Sequence, residues 1–134
     1  MIKKITWDEF YLIGVEEIDI QHKHLTDMVN KCIAKANGLL LDEKMEVLLE
    51  DLWFYTKWHF SCEESLMRIL RYDKYEEHRA EHEKLLENLD EKIESIIDNN
   101  YFISDLKDYL HDWLGDHAHG HDKEMGAYVI SKWN

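Results

Sequence analysis

The chain has 134 residues, 45% of them hydrophobic and 34% charged, and its 16 Lys+Arg against 29 Asp+Glu leave a formal net charge of −13 with histidine neutral. That length fits one domain, residues 1–134, with a sizeable core, and an aromatic content of 12% argues against a disordered acidic tail. So negative a surface repels phosphate backbones and anionic headgroups, which excludes nucleic acid and membrane surfaces as expected partners.

No apolar run approaches a membrane span, and Lys3 and Lys4 are not followed by a signal-peptide segment, so the cytosol is the expected location. Proline is absent and glycine occurs five times, which leaves the long periodic stretches almost without breakers. After an arm containing Trp7 and Gly14, Asp19 reads as the N-cap of a first helix that runs to about Asn37 and Gly38. Its inward stripe is His22, Leu25, Val29, Cys32 or Ile33, and Ala36. A second helix is expected from Asp42 to about Leu70, with Leu48, Leu52, Tyr55, His59, Cys62 or Glu63, and Leu66 on one face. The third opens on Asp73 and Glu76, spaced as a capping box, and carries His78, His82, Leu85, Leu89, Ile93 and Ile96 before stopping near Asp98, Asn99 and Asn100. A fourth begins after Ser104 and presents Leu106, Leu110, Trp113 and His117 before Gly120 loosens it, and residues 123–133 form a possible short last helix.

Short connections between long helices make neighbours antiparallel, so the expected fold is all-α, an up-down-up-down four-helix bundle with an extended N-terminal arm. Cys32 and Cys62 both fall on apolar stripes and read as buried free thiols rather than a disulfide framework.

On every inner face the apolar stripe continues through histidines and one carboxylate where leucine is expected. An unpartnered buried imidazole costs on the order of a few kcal/mol, so several together need compensation, and a bound metal ion is the simplest one because neutral histidine is its commonest ligand. The topology supports this. His22, His78 and His82 lie at helix starts, whereas His59, Glu63 and His117 lie toward helix ends, so alternating directions bring all of them to one end of the bundle. His59 with Glu63, and His78 with His82, are i,i+4 pairs sharing a face. His117 and Asp122 are spaced i,i+5, about 140° apart on a regular helix; a π-bulge or a loosened turn at Gly120 would bring Asp122 back into line. On spacing alone His121 is the better companion.

Blander readings stand beside these. Among Glu76, Glu77, Glu81 and Glu83 the pair His78 and His82 could form a solvated face, but the stripe of Leu85, Leu89 and Ile93 that follows favours an inward one. Glu63 could pair with a nearby cation, and Glu64, off the inner face, is expected to do no more than that. His24, His111, His119 and His121 read as surface residues, and Trp53, Tyr55 and Trp58 as packing.

Five segments in order now carry a resemblance: Trp7 to Gly14-Val15, Ile18-Asp19-x-Gln21-His22, His59-Phe60-x-x-Glu63-Glu64, His78-x-x-x-His82, and Trp113-Leu114-x-x-His117-x-x-x-x-Asp122. Over nearly its whole length the chain resembles a single-domain bacterial hemerythrin. The resemblance implies two non-haem iron ions, oxo- or hydroxo-bridged. His78, His82 and His117 would hold one and His22 and His59 the other, with Glu63 and Asp122 bridging both. It favours Asp122 over His121.

If each iron takes six ligands, that implied set fills the first and leaves one position on the second, so reversible dioxygen binding is the implied function. No Glu-x-x-His motif of the oxygenase and ferritin type occurs, and no acid or base stands apart from the ligands, so a monomeric oxygen carrier is expected rather than an enzyme. Oxygen or redox sensing through a partner, and plain iron or zinc binding, are the alternatives. Trp113, Leu114, Phe60 and Trp7 are expected to form an apolar wall. The residue after His117 is Ala118, where the family carries a bulky aliphatic side chain, so a more open pocket with faster autoxidation is expected.

Overall fold

The computed structural model describes residues 1–98 and 103–133, without the side chains of Phe10 and His119. Four long elements form the bundle: α1 (Glu16–Ala36), α2 (Met45–Ile69), α3 (Tyr75–Ile97) and α4 (Ile103–Trp113). A π-helical segment, Leu114–Asp122, continues α4 directly into α5, Lys123–Trp133. Helix α1 packs against α2 and α4, and α2 against α3. No strand occurs among the described residues, and none of their helices is long and apolar enough to cross a membrane.

The helix starts differ from those expected. Helix α1 begins three residues before Asp19, and Val15 rather than Asp19 is its N-cap. The Asp19 carboxylate instead reaches backward, accepting the Ile13 and Gly14 amides at 2.7 and 3.1 Å, and so fixes how the arm enters the helix. Lys44, not Asp42, precedes α2, and Lys74 precedes α3 without any side-chain cap, so Asp73 and Glu76 form no capping box. Burial of each inner face holds these helices, and good termini are not required. Asn99 and Asn100, expected near the end of α3, lie outside the described residues.

The N-terminal arm is extended up to a 3-10 turn at Glu9–Tyr11 and is fastened along α1 by two asparagines one heptad apart. Asn30 accepts the Ile5 amide and donates to the Ile5 carbonyl, at 2.7 and 2.9 Å. Asn37 does the same for Ile2, at 3.1 and 2.8 Å. Each amide side chain thus satisfies the backbone pair that an extended segment cannot satisfy internally.

Two apolar clusters result. The larger runs through the bundle around Leu25, Val29, Leu49, Leu52, Phe60, Leu106 and Trp113. The smaller joins Ile13 and Val15 of the arm, Ile18, Met67, Tyr72, and Met125 and Val129 of α5. It closes the end of the bundle toward which the histidines converge. Gly126 lets α5 approach the arm there, since a Cβ at that position would meet the Ile13 carbonyl oxygen at 2.8 Å. Cys32 is buried as expected, whereas Cys62 is only half-buried, because Glu63 takes the inward position next to it.

The turn after α2 is a Schellman motif: Tyr72 and Arg71 donate to the Met67 and Arg68 carbonyls at 2.9 and 3.2 Å, which holds Arg71 at φ 55°. Tyr128 of α5 clamps it by donating to the Leu70 carbonyl at 2.6 Å. Left-handed backbone costs a non-glycine residue about 1–2 kcal/mol. Arg71→Gly is therefore expected to stabilise the protein by about 1 kcal/mol; an unchanged or lower denaturation midpoint in urea would contradict it.

Candidate metal centre

Seven side chains converge between the two apolar clusters, and all are buried: His22, His59, Glu63 and Asp122 at 0% exposure, His82 at 1%, and His78 and His117 at 2%. His22 comes from the second turn of α1, His59 and Glu63 from the second half of α2, and His78 and His82 from the first half of α3. The π segment supplies His117 and Asp122. There backbone hydrogen bonds run from i to i+5, which stacks residue i+5 over residue i. His117 and Asp122 therefore meet, with Nε2 3.2 Å from Oδ1, although a regular helix would separate them. His121 stays outside, exposed, stacked on the His117 ring at 5.6 Å. His24 and His111 are exposed as expected, and the His119 side chain lies outside those described.

Donor atoms form two groups, each within 4.8 Å: Glu63, His78, His82, His117 and Asp122 in one, and His22, His59, Glu63 and Asp122 in the other. Only the carboxylates belong to both, and each turns one oxygen to each side. Glu63 Oε1 lies 2.9 and 3.5 Å from Nε2 of His82 and His78, and its Oε2 lies 3.0 and 3.6 Å from Nε2 of His59 and His22. Asp122 Oδ1 lies 2.7 Å from Nε2 of His78, and its Oδ2 lies 3.1 Å from Nε2 of His22.

Close approach here is not the same as pairing. Both Glu63 oxygens, Asp122 Oδ2, His82 Nε2 and both His117 nitrogens are buried without a hydrogen-bond partner. Atoms that crowd to about 3 Å without aligning donor to acceptor point at shared centres rather than at one another. Buried polar atoms are otherwise almost always paired, so this set of imidazoles and carboxylates fits cations held between them.

Two further residues orient the rings. Gln21 Oε1 accepts from His59 Nδ1 at 2.6 Å, and Glu64 Oε2 accepts from His82 Nδ1 at 3.0 Å. Each contact places the ring proton on Nδ1 and leaves the Nε2 lone pair facing inward, the usual outer support of a metal-bound histidine. Glu64 therefore does more than the surface pairing expected of it. Its only sequence signal is adjacency to Glu63, and reach across to α3 is a tertiary property. Gln21, beside His22, supports a histidine on a different helix.

Phe60 stacks on His82 at 4.0 Å, and the Trp113 edge meets His22 at 5.3 Å, so both belong to the apolar wall. Leu114 is fully buried in the same core. Trp7 packs from the arm against the core that holds these residues, meeting Tyr11 at 5.4 Å, and none of the described ring contacts joins it to a ligand imidazole. A small apolar cavity of about 20 Å³ adjoins Phe60 and Trp113. Ala118 is fully buried within the main core and lines none of the described cavities, so its small side chain leaves no described opening.

Without a cation, protons neutralise the carboxylates. Burial works to lower the pKa of His22 and His78, but the negative charge of Asp122 and Glu63 close against both rings outweighs it and raises both to about 9. Burial likewise works to raise Glu63, yet the surrounding His59, His22 and His78 hold it well below the carboxylate range. His59 is lowered, chiefly by burial, against the pull of Glu63.

The raised His22 and His78 stabilise the metal-free fold fully below their unfolded value near 6.5 and lose that contribution as pH climbs to about 9. Lowered Glu63 contributes above the ordinary carboxylate range and ceases to do so in acid. The metal-free protein is therefore expected to melt progressively lower between pH 6.5 and 9, and the metal-loaded protein to stay nearly flat there, because the cations replace the protons. Calorimetry across that range checks it, and identical profiles would contradict it. Ala118→Ile is expected to destabilise by about 1–3 kcal/mol through overpacking; unchanged stability in a urea titration would mean that space exists beside His117.

Comparisons with known proteins agree with this arrangement. Residues 13–129 match the family described as hemerythrin HHE cation binding domain. The chain is 24% identical over 123 residues to a bacteriohemerythrin of Clostridium acetobutylicum, covering 88% of this chain and 95% of that one. It is 31% identical over 114 residues to a bacteriohemerythrin of Methylococcus capsulatus, covering 81% and 82%. It is also 29% identical over 111 residues to the myohemerythrin of Sipunculus nudus, covering 83% and 82%. A crystal structure of a hemerythrin with a leucine-to-alanine substitution superposes with a TM-score of 0.79 at 27% identity, covering 93% of this chain and 96% of that one. With the fold, the buried donor set and these matches in agreement, the chain belongs to the hemerythrin family of non-haem iron, oxygen-binding four-helix bundles.

Proposed function

We propose that this chain, as one domain, binds dioxygen reversibly at a pair of iron ions, for storage or delivery. The observation that carries the reading is the asymmetry of the two donor groups: three imidazoles on one side and two on the other, with Glu63 and Asp122 common to both. In this reading His78, His82 and His117 would hold one iron and His22 and His59 the other, with Glu63 and Asp122 as ligands shared by the two. Iron bound there would supply the electrons and the binding position that reversible dioxygen binding requires.

The protein's own part is to keep that position dry and its ligands rigid. Phe60 and Trp113 close the apolar side, next to a cavity whose lining is almost entirely apolar and which suits a diatomic molecule better than water. Gln21 and Glu64 keep two rings from turning, so the Nε2 atoms stay aimed inward. A carrier is favoured over an enzyme because the described polar groups at the cluster are either donors or supports of donors. The natural ligand is dioxygen, and the reading needs neither a second chain nor a membrane.

Iron content per chain and the optical spectrum of the reduced protein before and after exposure to air test this. Two irons per chain are expected, with near-visible bands that appear with oxygen and vanish on its removal. Chelation is expected to lower the melting temperature clearly, since it leaves two carboxylates and five imidazoles facing one another in the interior. One iron per chain, bands that do not reverse, or a melting temperature indifferent to chelation would each overturn the proposal.

A further inference from the structure

The buried centre needs a route by which iron reaches it, and one cleft stands out. Between α3 and the junction of α4 with the π segment lies an open cleft of about 190 Å³. Glu81 stands on the α3 side, and Asp112 and Asp116 on the other, with His121 at the rim. No lysine or arginine lines it, and none of the three carboxylates is ion-paired among the described residues. Its inner end is His117, which is 2% exposed and has neither ring nitrogen hydrogen-bonded. Of the described cavities this one alone is lined by a residue of the donor cluster.

We propose that this cleft is the entry path for ferrous iron, with Glu81, Asp112, Asp116 and His121 capturing the hydrated ion and His117 receiving it at the cluster. The proposal rests on the reading of the cluster as an iron centre. A hydrated dication cannot cross the apolar clusters without losing most of its solvation, whereas carboxylate oxygens can replace its waters one at a time, and a cleft of single charge sign raises the local concentration of counter-ions. The four capturing groups are not gathered into any of the described ligand clusters, where donor atoms lie within 4.8 Å of one another. Several loose contacts pass an ion on, whereas a tight chelate would retain it. Inside the cleft, the rings of Trp113, His117 and His121 stack along the π segment, at 5.7 and 5.6 Å, so the outer imidazole lies next to the ligand it feeds. Gly115 and Gly120 flank His117, and a Cβ at either would meet nothing within 4 Å, so that stretch is open on its outer side.

Anaerobic uptake of ferrous iron by the full-length metal-free chain tests this, with free iron trapped by a colorimetric chelator at successive times and iron per chain measured at the end. The triple variant Glu81→Gln, Asp112→Asn, Asp116→Asn is compared with Asp42→Asn, Glu46→Gln, Glu50→Gln, which removes the same charge from the start of α2 and the turn before it, away from the cleft. Loss of the cleft carboxylates is expected to slow uptake about tenfold at low ionic strength and much less in high salt, with final iron content unchanged. The control variant is expected to load like the wild type. Equal slowing of both variants would assign the effect to net charge and overturn the proposal, as would normal uptake by the cleft variant. A wild-type chain that takes up no iron would instead bring down the reading of the cluster itself. Matching circular dichroism melts before loading ensure that slow uptake is not a folding defect.

Discussion

Two carboxylates with no solvent exposure, Glu63 and Asp122, set the terms for the rest of this structure. A buried charge that loses its partners costs several kcal/mol, so whatever surrounds these two must carry positive charge or accept it. Five imidazoles from four separate segments surround them, and the positive charge comes either from protons, as the raised His22 and His78 indicate, or from cations shared with the carboxylates. Neither state tolerates water entering from the side, which explains why so much of the chain serves as cover. The arm, the start of α1, the end of α2 and α5 contribute Ile13, Ile18, Met67 and Met125 to an apolar cluster that seals the end of the bundle. From the other side Phe60 and Trp113 press against the rings.

The same requirement explains the irregular backbone after α4. Asp122 must face His22 and His78 while His117 faces the same interior, and five residues of regular helix turn the second side chain too far. Nine residues of π-helix remove that conflict. Such segments are poorer in packing and concentrate at functional sites. Here the segment sits between α4 and α5, two regular helices that pack their own apolar faces and hold it in place. Its outward side carries His121 and Asp116 into the cleft described above, so one irregular stretch both completes the buried cluster and shapes its nearest surface.

Support for the cluster comes from the fold in a second way. Gln21 and Glu64 are neighbours in sequence of His22 and Glu63, yet each holds a histidine of another helix. Helix geometry makes this natural: adjacent residues point about 100° apart, so a residue beside an inward ligand faces the adjoining helix, where that helix's ligand presents its outer nitrogen. The four-helix arrangement thereby ties α1 to α2 and α2 to α3 through the outer atoms of the rings, in addition to their apolar contacts.

Much of this was legible in the order of residues. The 3.6-residue stripes of Leu25, Val29, Leu52, Leu89 and Leu106 specify helices and their inner faces, and histidines interrupting those stripes at alternating helix starts and ends identify the end of the bundle at which they meet. Both depend on local periodicity, which a single sequence carries. Helix starts were not legible, because Asp19, Asp42 and the Asp73–Glu76 pair have the chemistry of caps but the packing of each helix moved its start elsewhere. The support of His82 by Glu64, the burial of Ala118 in the main core and the full length of the π segment were decided by tertiary structure alone. Each depends on the distance between segments far apart in the chain, and that distance is set when the arm, α5 and the four helices close together around the buried charges.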